Sequence, residues 1–207
     1  EAGNIAPVFP TEPGTEARSK DFLLCLAHAA RQYLNLVAAA VRESAGPLVP
    51  ITGTQVAFGG LMTFDSHDGM DFIDHHFYVD HYGFPHTSWD GYDWTIQDSS
   101  TAGANLTPLV TVAAGRQHGK PFTVSEFNQP WPNTHAAELD VEIAAFGSFQ
   151  DWDGLMHFAY AHGRGWDDNA PNGFNLNGDW TKWVNVGQAA WLFRTFAVRP
   201  GVETVEL

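Results

Sequence analysis

The sequence predicts one α/β domain in which parallel strands alternate with helices. Helical hydrophobic patterns alternate along the chain with four short runs that are apolar and rich in β-branched or aromatic residues. A chain of 207 residues with 44% hydrophobic residues is also the size of one domain with a substantial core. Polar and aromatic side chains stand at the C-terminal ends of these runs: Gln55, His76 and Tyr78, Glu126, then Tyr160 and His162. Function at that end of parallel strands is typical of a (β/α) barrel.

The chain begins with an expected arm or linker at residues 1–18, which is rich in Pro, Gly and Glu and has no periodicity. We expect a half-barrel domain at 19–200 and a strand-like tail at 201–207. A first helix is predicted from Ser19 until Gly46-Pro47, because apolar residues recur there at helical spacing. These residues are Leu23, Leu26, Ala27, Ala30, Leu34, Val37 and Val41.

Four strands and three further helices follow in the predicted order. The strands are expected at 48–55, 70–79, 121–127 and 154–160. The helices are expected at 107–119, from 133 or 134 to 149, and at 183–196, with Thr107 as the cap of the first and Pro108 at its first helical position. A closed barrel of eight strands typically needs about 250 residues, so four strands predict a TIM-barrel-like (β/α)4 half barrel.

Charge and hydropathy exclude several classes of partner. The net charge is -14 with only 10 Lys and Arg and no basic cluster, which argues against nucleic acid and anionic membrane surfaces and favours a neutral or cationic ligand. No apolar run is long enough to cross a bilayer, so we expect a soluble chain. We also expect that the protein needs no cofactor. The chain has no initiator Met, so we expect either a processed protein or a segment of a longer one.

The stretch from Lys120 to Asn133 is where the sequence concentrates candidate chemistry. An apolar run at 121–124 predicts a buried strand that ends in Glu126, and Asn128 and Trp131 follow directly. Such a strand delivers one carboxylate to the floor of an aromatic cleft, where it can act as the nucleophile of glycoside hydrolysis. The structural alternative is that Glu126 caps a loop or pairs with an Arg.

A second candidate segment is the histidine-rich run at 74–81. Strand alternation places His76 and Tyr78 on one face, where Tyr78 could hydrogen-bond the nucleophile. One alternative is a metal site drawn from His75, His76, Asp80 and His81, although the spacing matches no strong zinc pattern. A further alternative is that the histidines are hydrogen-bonded parts of a barrel wall.

Aromatic residues are abundant, with 8 Trp and 15 Phe, and several fall in predicted loops. Loop Trp residues are less easily explained by core packing, and flat aromatic faces suit sugar rings. Trp131 and Trp166 are the preferred stacking platforms, whereas Trp183 and Trp191 lie at helical spacing and are expected to pack. The full predicted substrate-binding set is Gln55, Trp89, Asn128, Trp131, Tyr160, His162 and Trp166.

Several of these segments together resemble the family 5-like glycoside hydrolases, within the large clan of retaining (β/α)8-barrel β-glycosidases that includes cellulases. The segments are Ile-Thr-Gly-Thr-Gln at 51–55, Asp-His-His-Phe-Tyr-Val-Asp-His at 74–81, Phe84-Pro85, Trp89-Asp90, Asp93-Trp94-Thr95-Ile96 and Pro-Phe-Thr-Val-Ser-Glu-Phe-Asn at 121–128. The resemblance implies a retaining mechanism on β-linked glucosides or related β-glycans. It makes Glu126 the nucleophile at the end of the seventh strand and places His76 and Tyr78 on the sixth. Tyr160 or Trp166 falls near the aromatic position of the eighth.

One family feature is absent, because the acid/base Glu of that clan follows an Asn and the chain has no Asn-Glu pair. The first four strands of such a barrel would precede residue 1. An isolated half barrel leaves strand edges unpaired, so we expect self-association, most simply a homodimer. Candidates for the missing carboxylate are Glu126 of a second subunit, Asp74, Asp80, Glu12 and Glu16.

Three functional hypotheses follow. The first is a β-glycosidase with Glu126 as nucleophile, and the second is a non-catalytic carbohydrate-binding or decayed half barrel. The third is a metal-dependent hydrolase that uses the cluster from His75 to His81.

Overall fold

The computed structural model describes residues 16–55 and 60–206, with side chains described for 16–55 and 64–206. In these ranges the fold is mixed α/β, with a three-stranded parallel sheet and four α-helices. The chain divides into two compact units, Glu1–Ile73 and Asp74–Leu207. The predicted α/β class is confirmed at this level.

The first unit contains the long helix α1, Glu16–Ala45, and a 3₁₀ helix, Gly60–His67, which the sequence pattern did not predict. Helix α1 ends where Gly46 adopts a positive φ of 99°, as the Gly-Pro signal indicated. Leu34, Ala38 and Met70 form a small buried cluster with Ile51 packed against it. Two ion pairs join α1 to the segment after the 3₁₀ helix: Arg31 with Asp68 at 2.6 Å and Arg42 with Asp71 at 2.8 Å.

The expected strand at 48–55 is not formed, and this prediction was wrong. Ile51 instead makes a local pair of hydrogen bonds, because its amide donates to the Asp71 carboxylate and its carbonyl accepts from the Asp71 amide, both at 2.8 Å. The His67 ring lies 2.6 Å from the carbonyl of Thr54. Pro50 has no amide hydrogen to contribute to a ladder. The β-branched composition therefore gives an extended segment held by side chains.

The sheet consists of β1, Ile73–Tyr78, β2, Phe122–Asn128, and β3, Gly154–His157, in the order β1-β2-β3. Thr123 pairs with Gly154 and Phe127 with His157, and the register shifts between Val124 and Phe127. Beyond β1, the amide of Val79 donates to the carbonyl of Asn128 at 3.1 Å. The second, third and fourth predicted strands are thus confirmed: the second and fourth are shorter than predicted, and the third is displaced by one residue.

Three helices complete the second unit: α2, Thr107–Ala113, α3, Leu139–Phe149, and α4, Trp180–Arg194. Thr107 is the first helical residue and not the cap, since Leu106 holds the cap position without a side-chain hydrogen bond. Helix α3 starts later than predicted, because residues 134–138 form turns. Asp179 caps α4, and its carboxylate accepts from the amides of Thr181 and Lys182.

The core of the second unit is built from side chains of its strands and helices, among them Leu109, Val112, Phe122, Val124, Ile143 and Trp152. Trp152 packs against Phe122 at 5.3 Å and Phe146 at 5.8 Å between ring centroids, so it belongs to the core. The tail at 202–206 forms no strand, contrary to its alternating pattern, and Val202 is 99% exposed. Among the described helices, none combines the length and apolar character needed to span a bilayer.

Candidate functional site

Glu126 lies near the C-terminal end of β2, and neighbouring β1 supplies partners to both of its carboxylate oxygens. The phenol of Tyr78 donates a hydrogen bond to Oε1. The Nδ1 atom of His76 lies 3.3 Å from Oε2. The Glu126 side chain remains 26% exposed. The structure therefore brings together the three predicted catalytic residues, with the carboxylate oriented and still accessible.

Asp74, earlier on β1, links the two strands beside this site. Its carboxylate accepts from Thr123 Oγ1 at 2.6 Å, from the Ser125 amide at 3.0 Å and from Ser125 Oγ at 2.6 Å. His76 Nε2 lies 3.0 Å from Ser125 Oγ and 3.4 Å from the Asp74 carboxylate. Both ring nitrogens of His76 therefore have partners, and the ring is held between Asp74 and Glu126.

The surroundings of Tyr78 favour the protonated phenol, which can donate a hydrogen bond. Burial raises the pKa of Tyr78 well above its ordinary value, and the hydrogen bond and the charge of Glu126 raise it further. The Tyr78 ring also has aromatic neighbours in edge-to-face contact, namely Phe174 at 5.0 Å, His81 at 5.9 Å and Phe158 at 6.5 Å. These contacts place Glu126 beside an aromatic wall.

Trp89 and His162, two predicted substrate-binding residues, lie at the margin of this wall. Trp89 contacts the His81 ring at 5.7 Å and is largely exposed. His162 packs edge-on against Phe158 at 5.2 Å, and Asn175 holds its ring at 2.5 Å. Both are therefore connected to Tyr78 through one intermediate ring.

Tyr160 and Trp166 form a second aromatic platform. Their rings stack at 5.8 Å with an interplanar angle of 30°, and both are exposed. Trp183 packs edge-on against Tyr160 at 6.0 Å. Trp183 therefore packs, as expected, and the ring that it supports belongs to the exposed Tyr160–Trp166 platform.

Asn128 is placed differently from the prediction, because only 1% of it is exposed. Its amide nitrogen donates to the carbonyls of Phe158 and Phe174, and its oxygen accepts from the Gln129 amide at 2.7 Å. This position gives Asn128 a structural role in holding the two segments that carry the aromatic wall, in place of the expected substrate contact.

Lys182 is a residue that sequence reasoning missed. It is buried in α4, and its Nζ donates to Asn128 Oδ1 at 3.0 Å and lies 3.7 Å from Asp179. Burial lowers the pKa of Lys182, and the nearby carboxylates of Asp179 and Asp140 oppose this shift. A helical Lys is normally solvated, so the sequence carried no signal for this contact.

Trp131 and Gln55 complete the predicted set. Trp131 is 39% exposed and lines a pocket of about 400 Å³ beside the N-terminus of α4. Its carbonyl accepts from Tyr82 Oη, and its amide donates to Gly173 at 2.9 Å. Gln55 belongs to the first unit, where its side-chain oxygen is buried without a hydrogen-bond partner among the described residues. The site above is formed by second-unit residues.

The carboxylates proposed as the missing acid have other tasks in the structure. Asp74 is buried and fully engaged, as described above. Asp80 accepts from the amides of His81, Gln97 and Ser99 and from the Asn133 side chain. Although burial is the largest influence and acts in the opposite direction, these hydrogen bonds together lower the pKa of Asp80, which does not suit a proton donor. Glu16 lies in the first unit, and Glu12 lies outside the described residues.

The histidine-rich run offers no metal centre in the described part of the chain, where no three His, Cys, Asp or Glu side chains are grouped to hold an ion. His75 Nδ1 lies 2.7 Å from the carbonyl of His76, and burial lowers the pKa of His75. The His81 ring faces the carbonyl of Tyr82 at 3.1 Å. The side chains of this run thus satisfy separate partners.

Comparison with protein-family profiles, curated proteins and solved structures finds no match to this chain.

Proposed function

We propose that the protein is a retaining glycoside hydrolase that acts on β-linked glucosides or related β-glycans, with Glu126 as the nucleophile. The observation that carries this proposal is the arrangement of Tyr78 and His76 on the two oxygens of Glu126. A nucleophilic carboxylate needs a fixed orientation and one accessible lone pair, and these two contacts supply the orientation. The resemblance of segments 74–81 and 121–128 to family 5-like enzymes supports the same reaction.

The chemistry assigned to the site is a double displacement in which Glu126 is the nucleophile of the first step. A Glu126 oxygen attacks the anomeric carbon, the bond to the leaving oxygen breaks, and a covalent glycosyl-enzyme forms. Water then releases the sugar with retained configuration. Tyr78 remains protonated as a donor throughout, and the aromatic wall offers apolar faces to the sugar ring.

The second carboxylate is the part of the mechanism that the residues around Glu126 do not identify, because Asp74, on the other side of the His76 ring, is engaged by Thr123 and Ser125. Retaining enzymes place it about 5–5.5 Å from the nucleophile. We propose that β1, β2 and β3 represent consecutive strands of a (β/α) barrel and that self-association as a homodimer completes it. Two observations support this proposal: the unbroken parallel order β1-β2-β3, and several exposed apolar residues on α1, namely Leu24, Leu26, Tyr33 and Leu36. The partner's Glu126 is then a candidate acid.

The test uses 2,4-dinitrophenyl β-glucoside, whose leaving group departs without protonation. This substrate isolates the nucleophile from the unidentified acid. We expect Glu126→Gln to abolish hydrolysis and Glu203→Gln, an exposed carboxylate, to leave it unchanged. In Glu126→Ala, added azide should restore turnover and yield the glycosyl azide of inverted configuration. Hydrolysis by Glu126→Gln at the wild-type rate would exclude the assignment.

A non-catalytic carbohydrate-binding function is the second candidate. It is favoured by the exposed faces of Trp131 and Trp166 together with the engaged state of Asp74 and Asp80. Binding of a β-glucan oligosaccharide should then survive Glu126→Gln and disappear in Trp131→Ala. Turnover of the dinitrophenyl glucoside by the wild-type protein would contradict this second function.

A further inference from the structure

The pocket that Trp131 lines has a second aromatic wall that the sequence pattern did not single out. It lies between the loop after β2 and the start of α4, and its volume is about 400 Å³. Trp180, the first residue of α4, also lines the pocket and is 73% exposed. Pro132 and Pro171 add rigid apolar surface. Two exposed indoles around one cavity are the residue types that bind the apolar face of a sugar ring.

The shape of this pocket depends on close backbone packing at Gly178. This residue has a φ of +79°, and a Cβ atom there would lie 2.4 Å from the carbonyl oxygen of Ala170. Only glycine permits this approach, which brings the segment 169–171 against the start of α4. Trp131 is fixed on the other side by the contacts of its backbone with Tyr82 and Gly173. The backbone on both sides of the pocket is therefore positioned by contacts within the fold.

The lining of the pocket presents no exposed charged side chain among the described residues. Asp179 is the only ionisable residue among the described lining residues, and it is 2% exposed. Its carboxylate is engaged by the amide and hydroxyl of Thr181 and lies 3.7 Å from Lys182 Nζ. The same contacts occupy the first amides of α4, so the helix terminus does not attract an anion. An uncharged ligand fits this lining best.

Polar recognition is provided at the rim of the pocket. Within the described residues, the side chain of Asn169 makes no hydrogen bond, and it lines the cavity with both donor and acceptor capacity. Two flat apolar walls together with a free amide match the alternation of apolar faces and hydroxyl groups on a neutral pyranose.

The pocket and Glu126 lie at the same end of the sheet. Trp131 follows Glu126 by five residues, which limits the separation of their Cα atoms to about 18 Å. A continuous set of contacts joins them, because Phe174 packs against Tyr78 at 5.0 Å and Tyr82 at 5.5 Å, and Tyr82 donates to the Trp131 carbonyl. The pocket is therefore close enough to Glu126 for the two places to be tested together with oligosaccharides.

We propose that this pocket, bounded by Trp131 and Trp180, is a distal subsite that binds a further sugar unit of a neutral β-glucan chain. The proposal rests on the function proposed for Glu126 and adds that the protein recognises oligosaccharides in preference to single glucosides. Trp180 and Asn169 become specificity-determining residues that touch the substrate away from the reacting bond.

The test measures binding of cellobiose and cellohexaose to Glu126→Gln protein, which cannot consume either sugar. Cellohexaose should bind about tenfold more tightly than cellobiose, and Trp180→Ala should remove this difference. Trp180→Phe should retain most of it, because a flat ring remains. Trp191→Ala removes an indole of similar exposure from the same helix, and it should have no effect. An unchanged preference in Trp180→Ala, or no binding of cellohexaose, would overturn the subsite.

Hydrolysis of dinitrophenyl β-glucoside separates this proposal from the previous one. The monosaccharide substrate does not extend to the pocket, so its cleavage by the wild-type protein reports on Glu126 alone. If the aryl glucoside is cleaved but cellohexaose binds equally well with and without the Trp180 indole, the subsite alone is refuted. Binding that depends on Trp180 without any cleavage would refute the hydrolase function alone.

Discussion

The phenol of Tyr78 on β1 donates a hydrogen bond to Glu126 on β2, across 48 residues of sequence. His76, two residues earlier on the same strand, faces the other carboxylate oxygen at 3.3 Å. Because alternate residues of a strand share one face, β1 presents both groups to the same carboxylate. The orientation of the Glu126 carboxylate on β2 is therefore set by two side chains of the adjacent strand β1.

Replacing Tyr78 by Phe tests whether the phenol contributes to the reaction. The change removes one hydrogen bond to a charged group, which contributes about 1.5–3 kcal/mol. We expect kcat/KM for dinitrophenyl β-glucoside to fall about tenfold to a hundredfold. Tyr92→Phe, at a fully exposed phenol, is the matched control and should behave as wild type. Equal activity in Tyr78→Phe and wild type would show that the hydrogen bond has no catalytic role.

The tyrosines give a prediction for alkaline pH. Burial raises the pKa of Tyr82 to about 12, and the charge of Asp80 adds to this effect. A raised pKa in the folded state means that the unfolded chain loses its proton first. Stability is then unaffected below about pH 10 and falls as the pH rises from about 10 towards 12. Tyr82→Phe should make this loss shallower in denaturation experiments across that range, and an identical slope would contradict the assignment.

Glu126 is also expected to influence the titration of Tyr78. Burial is the largest cause of the raised pKa of Tyr78, followed by the hydrogen bond and the charge of Glu126. In Glu126→Gln the charge disappears while the burial remains, so the phenol should ionise at lower pH than in wild type but still above its ordinary value. Absorbance of phenolate during an alkaline titration measures this shift. A titration curve that does not change would argue against the Tyr78–Glu126 contact.

Asp80 gives a prediction for acid pH. Hydrogen bonds from three amides and Asn133 outweigh burial and lower the pKa of this carboxyl. A lowered pKa in the folded state stabilises the protein above the ordinary pKa of an Asp, and this contribution is lost as the pH falls through the folded value. Asp80→Asn should therefore be less stable at neutral pH and lose less stability on acidification. Asp167→Asn, at an exposed carboxyl, should keep the wild-type slope.

Asn128 and Lys182 form a buried pair whose members should differ in importance. Asn128→Leu removes the donor to the Phe158 carbonyl and one of two donors to the Phe174 carbonyl, which keeps the Ala159 amide. It also removes the side-chain acceptor of Lys182 Nζ, and we expect a loss of about 3 kcal/mol or more in the free energy of unfolding. Lys182→Met keeps the volume, and Asp179 keeps its hydrogen bonds from Thr181 and from the backbone amide at position 182, so the cost should be smaller. Chemical denaturation compares them. A larger loss in Lys182→Met than in Asn128→Leu would reverse the assigned roles.

Self-association is tested by sedimentation. If a second copy completes the barrel, the protein should sediment as a dimer at micromolar concentration. Leu36→Glu, on the exposed face of α1, should shift the equilibrium towards the monomer if that face is part of the interface. A wild-type monomer at these concentrations would remove the homodimer and, with it, the partner's Glu126 as the acid.

Local patterns in the sequence were sufficient for much of the fold and for the centre of the site. The apolar run before Glu126 predicted β2, and alternation along β1 predicted that His76 and Tyr78 share a face. Both follow from a side-chain period of two, which is set by neighbouring residues only. The segment 48–55 shows where such patterns fail, because β-branched residues form a strand only when another strand pairs with them.

What the sequence by itself determined is therefore the class of fold, three strands, the long helices and the residue types gathered around Glu126. Only the tertiary structure decided what each polar group does there. In the structure Asn128 is buried and accepts a hydrogen bond from Lys182, 54 residues later in the sequence. Asp80 accepts hydrogen bonds from backbone amides of a loop. The tertiary structure also opened the pocket between Trp131 and Trp180. These outcomes depend on which distant groups satisfy a buried hydrogen bond, and no local period encodes that choice.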